Sequence, residues 1–271
     1  MTRSVLVTGA NSGIGLQTVL ALGRRDYHPI GSVRSEAKAE VVAKAAADAG
    51  VKVDTVQLDV TDEDACAEVL AGLDLYGLVN NAGYGVTGAV EDIEDDEARA
   101  LLETMVVAPM RLARLALPAM RERGEGRIVN VSSIAGLATA PLAGWYTAAK
   151  HALEALSDAL RVEVGSAGVK VVLVEPGGFK TNIWEDMERD IANRGDSRYR
   201  TAYERSKRAM QLGEPLMGQP SQVADVIAKA ISARSPRARY LVGIDAQMMA
   251  LGDRLTPTSV KDLVSRLTLG L

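Results

Sequence analysis

Short β-branched runs alternate with longer alanine- and leucine-rich stretches along all 271 residues. Positions 4–8 (SVLVT) are almost continuously apolar, the pattern of a parallel strand buried on both faces. They run through a glycine-rich turn, GANSGIG, into a helix predicted over 14–25. The unit then repeats. Further strands are predicted at 28–33, 51–58, 76–79, 126–131, 169–175 and 239–242. Between them lie helices at 36–49, just after Thr61-Asp62-Glu63-Asp64, at 98–123, from Trp145 onward and at 219–233. The acidic run at 91–97 (EDIEDDE) reads as the solvated start of the long helix, whose Pro109 and Pro118 would bend or break it. Strand–helix alternation throughout predicts an α/β fold: one domain, a doubly wound parallel sheet with helices on both faces. Two stretches stand outside it. Residues 182–218 mix arginines with Trp184, Met187, Tyr199, Tyr203, Met210 and Met217, as a lid over a pocket would. The tail, 245–271, spaces Leu251, Leu255, Leu263 and Leu267 amphipathically, for packing on the domain or on a partner subunit.

Composition narrows the class. Hydrophobic residues make up 47% of the chain, enough for one large core. A net charge of −4 argues against nucleic-acid partners. One cysteine, Cys66, rules out an intramolecular disulfide and suits a reducing compartment. Met1 leads almost directly into the first strand, without signal-peptide design, and no apolar run approaches the ~20 residues that span a bilayer. The expectation is a cytoplasmic protein with no membrane span. His28 and His151 have no cluster at metal spacing, so no metal site is assigned.

The candidate chemistry lies between 126 and 150. A strand ends at Ser132-Ser133, and Tyr146 and Lys150 follow on one helix face, one turn apart. A free phenol has a pKa near ~10, and a neighbouring ammonium would bring it towards the range of acid–base work. The Ser133 hydroxyl would hold and polarise a carbonyl oxygen. Tyr203 and Lys207 repeat the spacing, but Asp190 stands where the strand-ending serine should be, and that pair reads as a solvated helix face.

A dinucleotide is the second theme. Gly9, Gly13 and Gly15 would give a tight turn, close approach to phosphate and close helix–strand packing, with the helix N-terminus facing a pyrophosphate. A plain strand–helix turn would also use glycines. At the end of the second strand stand Val33 and Arg34, with no ribose-reading carboxylate, which favours NADP(H) over NAD(H) unless Arg34 is merely a surface residue. Asp59 would accept from an adenine amino group or simply start a helix. Asn80-Asn81-Ala82-Gly83 would bend beside the cofactor or form an ordinary turn. Pro176 and Gly177 would shape a loop over it, with the Thr181 hydroxyl offered to the nicotinamide amide.

TGANSGIG at 8–15, NNAG at 80–83, Ser133, Tyr146-x-x-x-Lys150 and PGGFKT at 176–181 together resemble the short-chain dehydrogenase/reductase family, over almost the whole chain and in order. The resemblance implies hydride transfer between a nicotinamide and a small-molecule carbonyl or alcohol. It puts Gly9, Ser12, Gly13 and Ile14 on the phosphate side, with Asn11 and Gly15 also in the cofactor-binding turn. Asp59 and Val60 fall to adenine and Asn81 to the adjacent ribose, with Ala82 and Gly83 also on the cofactor. Pro176 and Gly177 would lie in the loop over the cofactor, with Thr181 facing the nicotinamide carboxamide. Tyr146 would be the acid–base, Lys150 its pKa modulator and ribose anchor, Ser133 the carbonyl holder. One departure is Met105, where many members carry an asparagine that holds a proton-relay water; a thioether is a weak acceptor. The stretch RYLVGIDAQMMALGDRL is similar to members acting on retinoid, steroid or polyketide-type substrates. Relatives often dimerise through helices corresponding to 98–123 and 144–165, where Ala148, Ala149, Ala152 and Ala155 would permit close approach or pack on the chain's own sheet, and a homodimer or homotetramer is expected. Two other readings stay open: a catalytically weak cofactor-binding regulator, suggested by Met105 and the acidic face, and a nucleotide-sugar epimerase or dehydratase, for which the chain is short.

Overall fold

A computed structural model describes residues 3–271; the Met1 start lies outside the described residues. The strands are β1 (Ser4–Val7), β2 (His28–Val33), β3 (Asp54–Gln57), β4 (Leu75–Asn80), β5 (Gly126–Val131), β6 (Val169–Pro176) and β7 (Arg239–Val242). They form one seven-stranded sheet in the order β3-β2-β1-β4-β5-β6-β7, and all its pairings are parallel. The order reverses between β1 and β4, so a crevice opens there at the carboxyl edge.

Alternation of side chains sorts the strands' residues into two cores. Val5 and Val7 face one side with Val129, Val131, Val172 and Val174, under helices α1 (Gly13–Gly23), α2 (Glu36–Asp48) and α9 (Pro220–Ser232). Leu6 faces the other with Ile128 and Val171, under α3 (Glu63–Ala71), α5 (Ala108–Arg123) and α6 (Gly144–Glu163). Both layers are sealed by fully buried aliphatic side chains such as Leu22, Ile227 and Leu112, each contributing about 1.5–3 kcal/mol.

The long helix expected at 98–123 is three pieces: α4 (Asp95–Leu102), a π-helical turn (Glu103–Val107) and α5. Pro109 has no N–H for the carbonyl four residues back, and its ring would crowd that carbonyl. The turn widens instead, and Ala108 N–H reaches Glu103 O, five residues back. Pro118 sits exposed within α5 without ending it.

Residues 182–218 fold as α7 (Ile183–Asn193) and α8 (Arg200–Gly213) over a small core of their own, with Tyr203, Ala202 and Ile191 packed on Leu142 and Ala89. Two readings are corrected here. Tyr203 is not on a solvated face: it is 2% exposed, its hydroxyl accepts from Ala89 N–H and donates to Asp92, both at 2.7 Å. The acidic run does more than open a helix. Asp92 also accepts from the Ser197 hydroxyl at 2.6 Å, Glu91 from the Tyr199 hydroxyl, and Glu97 pairs with Arg194 at 2.6 Å. The run is the strip on which the helical excursion is clasped.

The tail forms α10 (Ile244–Leu255) and α11 (Thr258–Leu269), and α11 packs on α8, where Arg205 donates to the Leu267 and Thr268 carbonyls. Its amphipathic leucines turn outward instead of into this contact: Leu251, Leu255, Leu263 and Leu267 are all more than half exposed. Among the described residues no helix is long and apolar enough to cross a membrane.

Candidate active site

The carboxyl ends of β1, β2, β4, β5 and β6 surround a cavity of about 1200 Å³, larger than the ~300–1,000 Å³ of an ordinary small-molecule pocket. Every glycine-turn residue singled out from sequence except Gly15 lines it, with Arg34, Asp59, Val60, Asn81, Ala82, Gly83, Ser133, Tyr146, Lys150, Pro176, Gly177 and Thr181. Gly15 is one layer back. A Cβ there would collide with the Gly9 carbonyl, so helix and turn can touch only because it is glycine. Gly9, at φ +66°, makes the turn itself. Helix α1 begins at Gly13, and the side chain of its N-cap, Ser12, makes no capping bond. The cavity therefore holds a free helix N-terminus and a free hydroxyl, the donors an anionic pyrophosphate needs.

Thr8, not singled out from sequence, ties the two halves of the crevice. Its hydroxyl accepts from Asn81 and Ala82 N–H, both at 2.9 Å, while the Asn81 amide donates to Thr8 O at 2.9 Å. Asn81 thus braces the bend from β4 as well as lining the cavity.

Over β2 and β3, Arg34 is joined by Lys38, one turn into α2. The lysine was legible only as an i, i+4 companion of the arginine. Asp59 accepts from Thr61 N–H at 3.0 Å and Thr61 Oγ1 at 2.7 Å; these bonds, with Arg34 nearby, hold its carboxyl below the usual range. It starts the turn into α3 while one edge faces the cavity, so its two readings coexist. The end of β2 and the start of α2 thus present two cations to the cavity.

Ser133 caps a 3₁₀ turn, accepting from Ala135 N–H at 3.1 Å. Tyr146 and Lys150 lie on the buried face of α6. Lys150 Nζ donates to Val131 O at 2.9 Å and stands 5.8 Å from the centre of the Tyr146 ring. The expected direction of the phenol shift is reversed: burial pushes it up to about 12, opposed only by the facing Ser133 hydroxyl. The ammonium is itself desolvated, down to about 8, with Glu154 working against that fall. One of its three N–H groups is held by that main-chain carbonyl, and its charge is not what sets the phenol's shift. Met105, in the π turn, is 2% exposed and packs in one cluster with Tyr146 and Ala149.

Of the rest of the cavity, Trp184 and Met187 come from the stretch read as a lid, and the other residues were not legible beforehand. Tyr84, Val86, Ile134, Ile183, Trp184, Met187 and Met249 give it an apolar wall, with Glu97, Asp190 and Arg189 at its rim. Asp245, at the start of α10, accepts from Gly178 N–H and secures the loop after β6.

A doubly wound sheet with this glycine turn and Ser–Tyr–Lys cluster at its switch point defines a dinucleotide-dependent oxidoreductase class. The short chain dehydrogenase family model matches residues 3–192, and the chain belongs to that family. It is 34% identical over 266 residues to an uncharacterized oxidoreductase, YusZ, of Bacillus subtilis, covering 95% of each. It is 31% identical to retinol dehydrogenase 7 of Mus musculus, covering 96% of this chain and 86% of that one. A variant of the actinorhodin polyketide ketoreductase solved with NADPH is similar at 29% identity and a TM-score of 0.75, with 89% of this chain and 95% of that chain covered.

Proposed function

We propose that the protein is an NADP(H)-dependent ketoreductase, reversible as an alcohol dehydrogenase, acting on a small apolar substrate. The observation that carries the reading is the convergence of Ser133, Tyr146 and Lys150 on a cavity whose other end presents Arg34 and Lys38. Gly9, Asn11, Ser12, Gly13 and Ile14 receive the pyrophosphate, with Gly15 behind them seating α1 on the turn; Asp59 and Val60 receive the adenine, and Asn81, Ala82 and Gly83 the adjacent ribose. Pro176, Gly177 and Thr181 hold the nicotinamide. The bound nicotinamide supplies or accepts the hydride.

In reduction, Ser133 holds the carbonyl oxygen and Tyr146 gives it the phenolic proton. A phenol lifted to about 12 stays protonated at neutral pH, as an acid must. Lys150, its ammonium near neutrality at about 8, returns a proton to the phenolate and anchors the ribose. The apolar wall of Ile134, Ile183, Trp184 and Met187 supports a hydrophobic substrate, in keeping with the retinol dehydrogenase and ketoreductase among the relatives. Residues 182–218 act as the lid of the single domain. A homodimer through α5 and α6 is part of the proposal, supported by exposed Ala148, Ala155, Val107 and Val162; Ala149 instead packs inside its own chain. Sedimentation of a monomer at micromolar concentration would remove it.

Calorimetric titration with NADPH and NADH, followed by turnover on a panel of apolar ketones, tests the whole reading. Tighter NADPH binding with turnover is the expected result. Met105 favours a second reading, a catalytically weak NADP(H)-binding regulator; ketone reduction at ordinary enzymatic rates eliminates it.

A further inference from the structure

Beyond Lys150 the same face of α6 carries Glu154 and then Asp158, each one turn further along. Glu154 faces Glu175 at the end of β6, and the two are 5% and 0% exposed. One guanidinium joins them. Arg239, on β7, donates from Nε to Glu175 Oε1 at 3.0 Å and from Nη2 to Glu154 Oε2 at 2.9 Å. It also grips Asp158 at 2.8 and 3.0 Å, and Arg161 pairs with Asp158 at 2.9 Å.

The second oxygen of each glutamate, Glu154 Oε1 and Glu175 Oε2, receives no hydrogen bond from the described residues. Two buried carboxyl groups in contact satisfy each other only if one proton lies between them. The Glu175 carboxyl is pushed up to about 7, first by burial and next by the Glu154 charge, against the pull of Arg239. Glu175, facing Glu154, therefore takes up and releases a proton near neutrality.

The pair also bridges the site and water. On the inner side, the Glu154 charge acts on Lys150. The buried Ser132 hydroxyl lines the cavity, and it and Glu154 Oε1 lie 2.8 and 3.2 Å from one common point, the Cβ position of Gly136. On the outer side, Arg239 and Asp158 are 32% and 39% exposed. The groups facing the pair are thus Lys150 and Asp158 from α6, Arg239 from β7 and the Ser132 hydroxyl from the end of β5. Met105, packed against Tyr146, offers only a thioether from the π turn.

We propose that Glu154 and Glu175 form a proton relay that resupplies Lys150 from solvent during carbonyl reduction. The inference rests on the function proposed above and names the route of its proton. As the hydride adds to the carbonyl carbon, the Tyr146 O–H breaks and the product O–H forms. A Lys150 N–H then breaks to restore the phenol. The proton shared by Glu175 and Glu154 passes to the lysine amine, and water or buffer acid at the Arg239–Asp158 edge reprotonates the pair. One proton enters per hydride transferred, and oxidation runs the chain backwards.

Glu175→Gln tests it, because the amide keeps the carboxyl's shape and its bond to Arg239 but has no transferable proton. The pH profile and solvent isotope effect of kcat for ketone reduction are measured at saturating NADPH, beside wild type and Tyr146→Phe. The relay predicts that Glu175→Gln lowers kcat at least ~10-fold near neutral pH, with KM and NADPH affinity within about twofold of wild type. It also predicts loss of the titration near pH 7 and a larger solvent isotope effect. Should Glu175→Gln not fold, Glu154→Gln gives the same readouts. Wild-type kcat and pH profile in the folded glutamine variant would overturn the relay while sparing the proposed function, provided Tyr146→Phe is impaired. Full turnover in Tyr146→Phe, or no ketone reduction by wild type, would overturn the proposed function and the relay with it.

Discussion

Over β1 to β4 the cavity wall is main chain resting on buried aliphatic carbon, with Thr8 and Asn81 binding one strand end to the next. Over α7 and α8 it is held by hydroxyls and ion pairs to the acidic strip: Tyr203 and Ser197 on Asp92, Tyr199 on Glu91, Arg194 on Glu97. Both walls close on the same Tyr146. The first excludes side chains where phosphate must approach, and deforming it means disrupting the core. The second has a small core of its own, and several of its clasping groups reach solvent, so opening it disturbs few apolar contacts. A rigid wall suits a cofactor that is the same in every turnover. A clasped wall suits a substrate that must enter and leave.

Changes on either wall break this comparison in different ways. The largest effect belongs to the shared point: Tyr146→Phe is expected to lower kcat by ~10²–10⁴-fold with the fold intact, read by steady-state ketone reduction. On the rigid wall, Gly15→Ala drives a Cβ into the Gly9 carbonyl. It should cost about 1–3 kcal/mol in denaturant unfolding and weaken NADPH binding in the same protein. On the clasped wall, Tyr203→Phe removes a hydroxyl with two buried bonds. A loss of ~1–2 kcal/mol confined to residues 182–218 is expected, seen as faster hydrogen exchange there and a raised KM, with NADPH affinity unchanged. If Tyr203→Phe instead weakened NADPH and left exchange in α7 and α8 alone, the distinction between the walls would fail. Arg34→Ala sharpens the rigid side: NADPH affinity should fall about tenfold while NADH affinity holds, measured by calorimetry.

The smallest effect is one of pH and lies behind both walls. The Glu175 carboxyl rises from 4.5 to about 7 in the folded chain. Between those values the folded state holds a proton that the unfolded state has released. The stability this group contributes is full below about 4.5 and is lost as pH rises through about 7. Glu175→Gln lacks that slope, so its melting temperature relative to wild type should climb between about pH 5 and pH 8.

Most of the rigid wall was legible in the chain because its determinants are local. A glycine turn, a strand ending in serines and a tyrosine four residues before a lysine each specify geometry within a few bonds or one helical turn. The strands at 28–33 and 239–242 match β2 and β7 residue for residue for the same reason. The clasped wall was legible as a lid, but its clasp was not, because those contacts depend on partners far along the chain. Tyr203 looked solvated among arginines, and its partner Asp92 is 111 residues away. Asp59 and Arg34 fall between these cases: their positions followed from strand ends, but whether a bound phosphate or merely solvent meets the arginine depends on the ligand.

The order of elements, the crevice and the trio on one side of it were therefore determined by the sequence alone, through hydrophobic period, turn sterics and helical spacing. Only the tertiary structure decided the electrostatics. Burial, not Lys150, governs the Tyr146 phenol, and the Val131 carbonyl takes one of the Lys150 N–H groups. Glu154 and Glu175, 21 residues apart, meet only when α6 packs on the sheet beside β6. Desolvation and through-space charge belong to the packed interior, where segments remote in sequence share one low-dielectric volume, and no local pattern of residues encodes them.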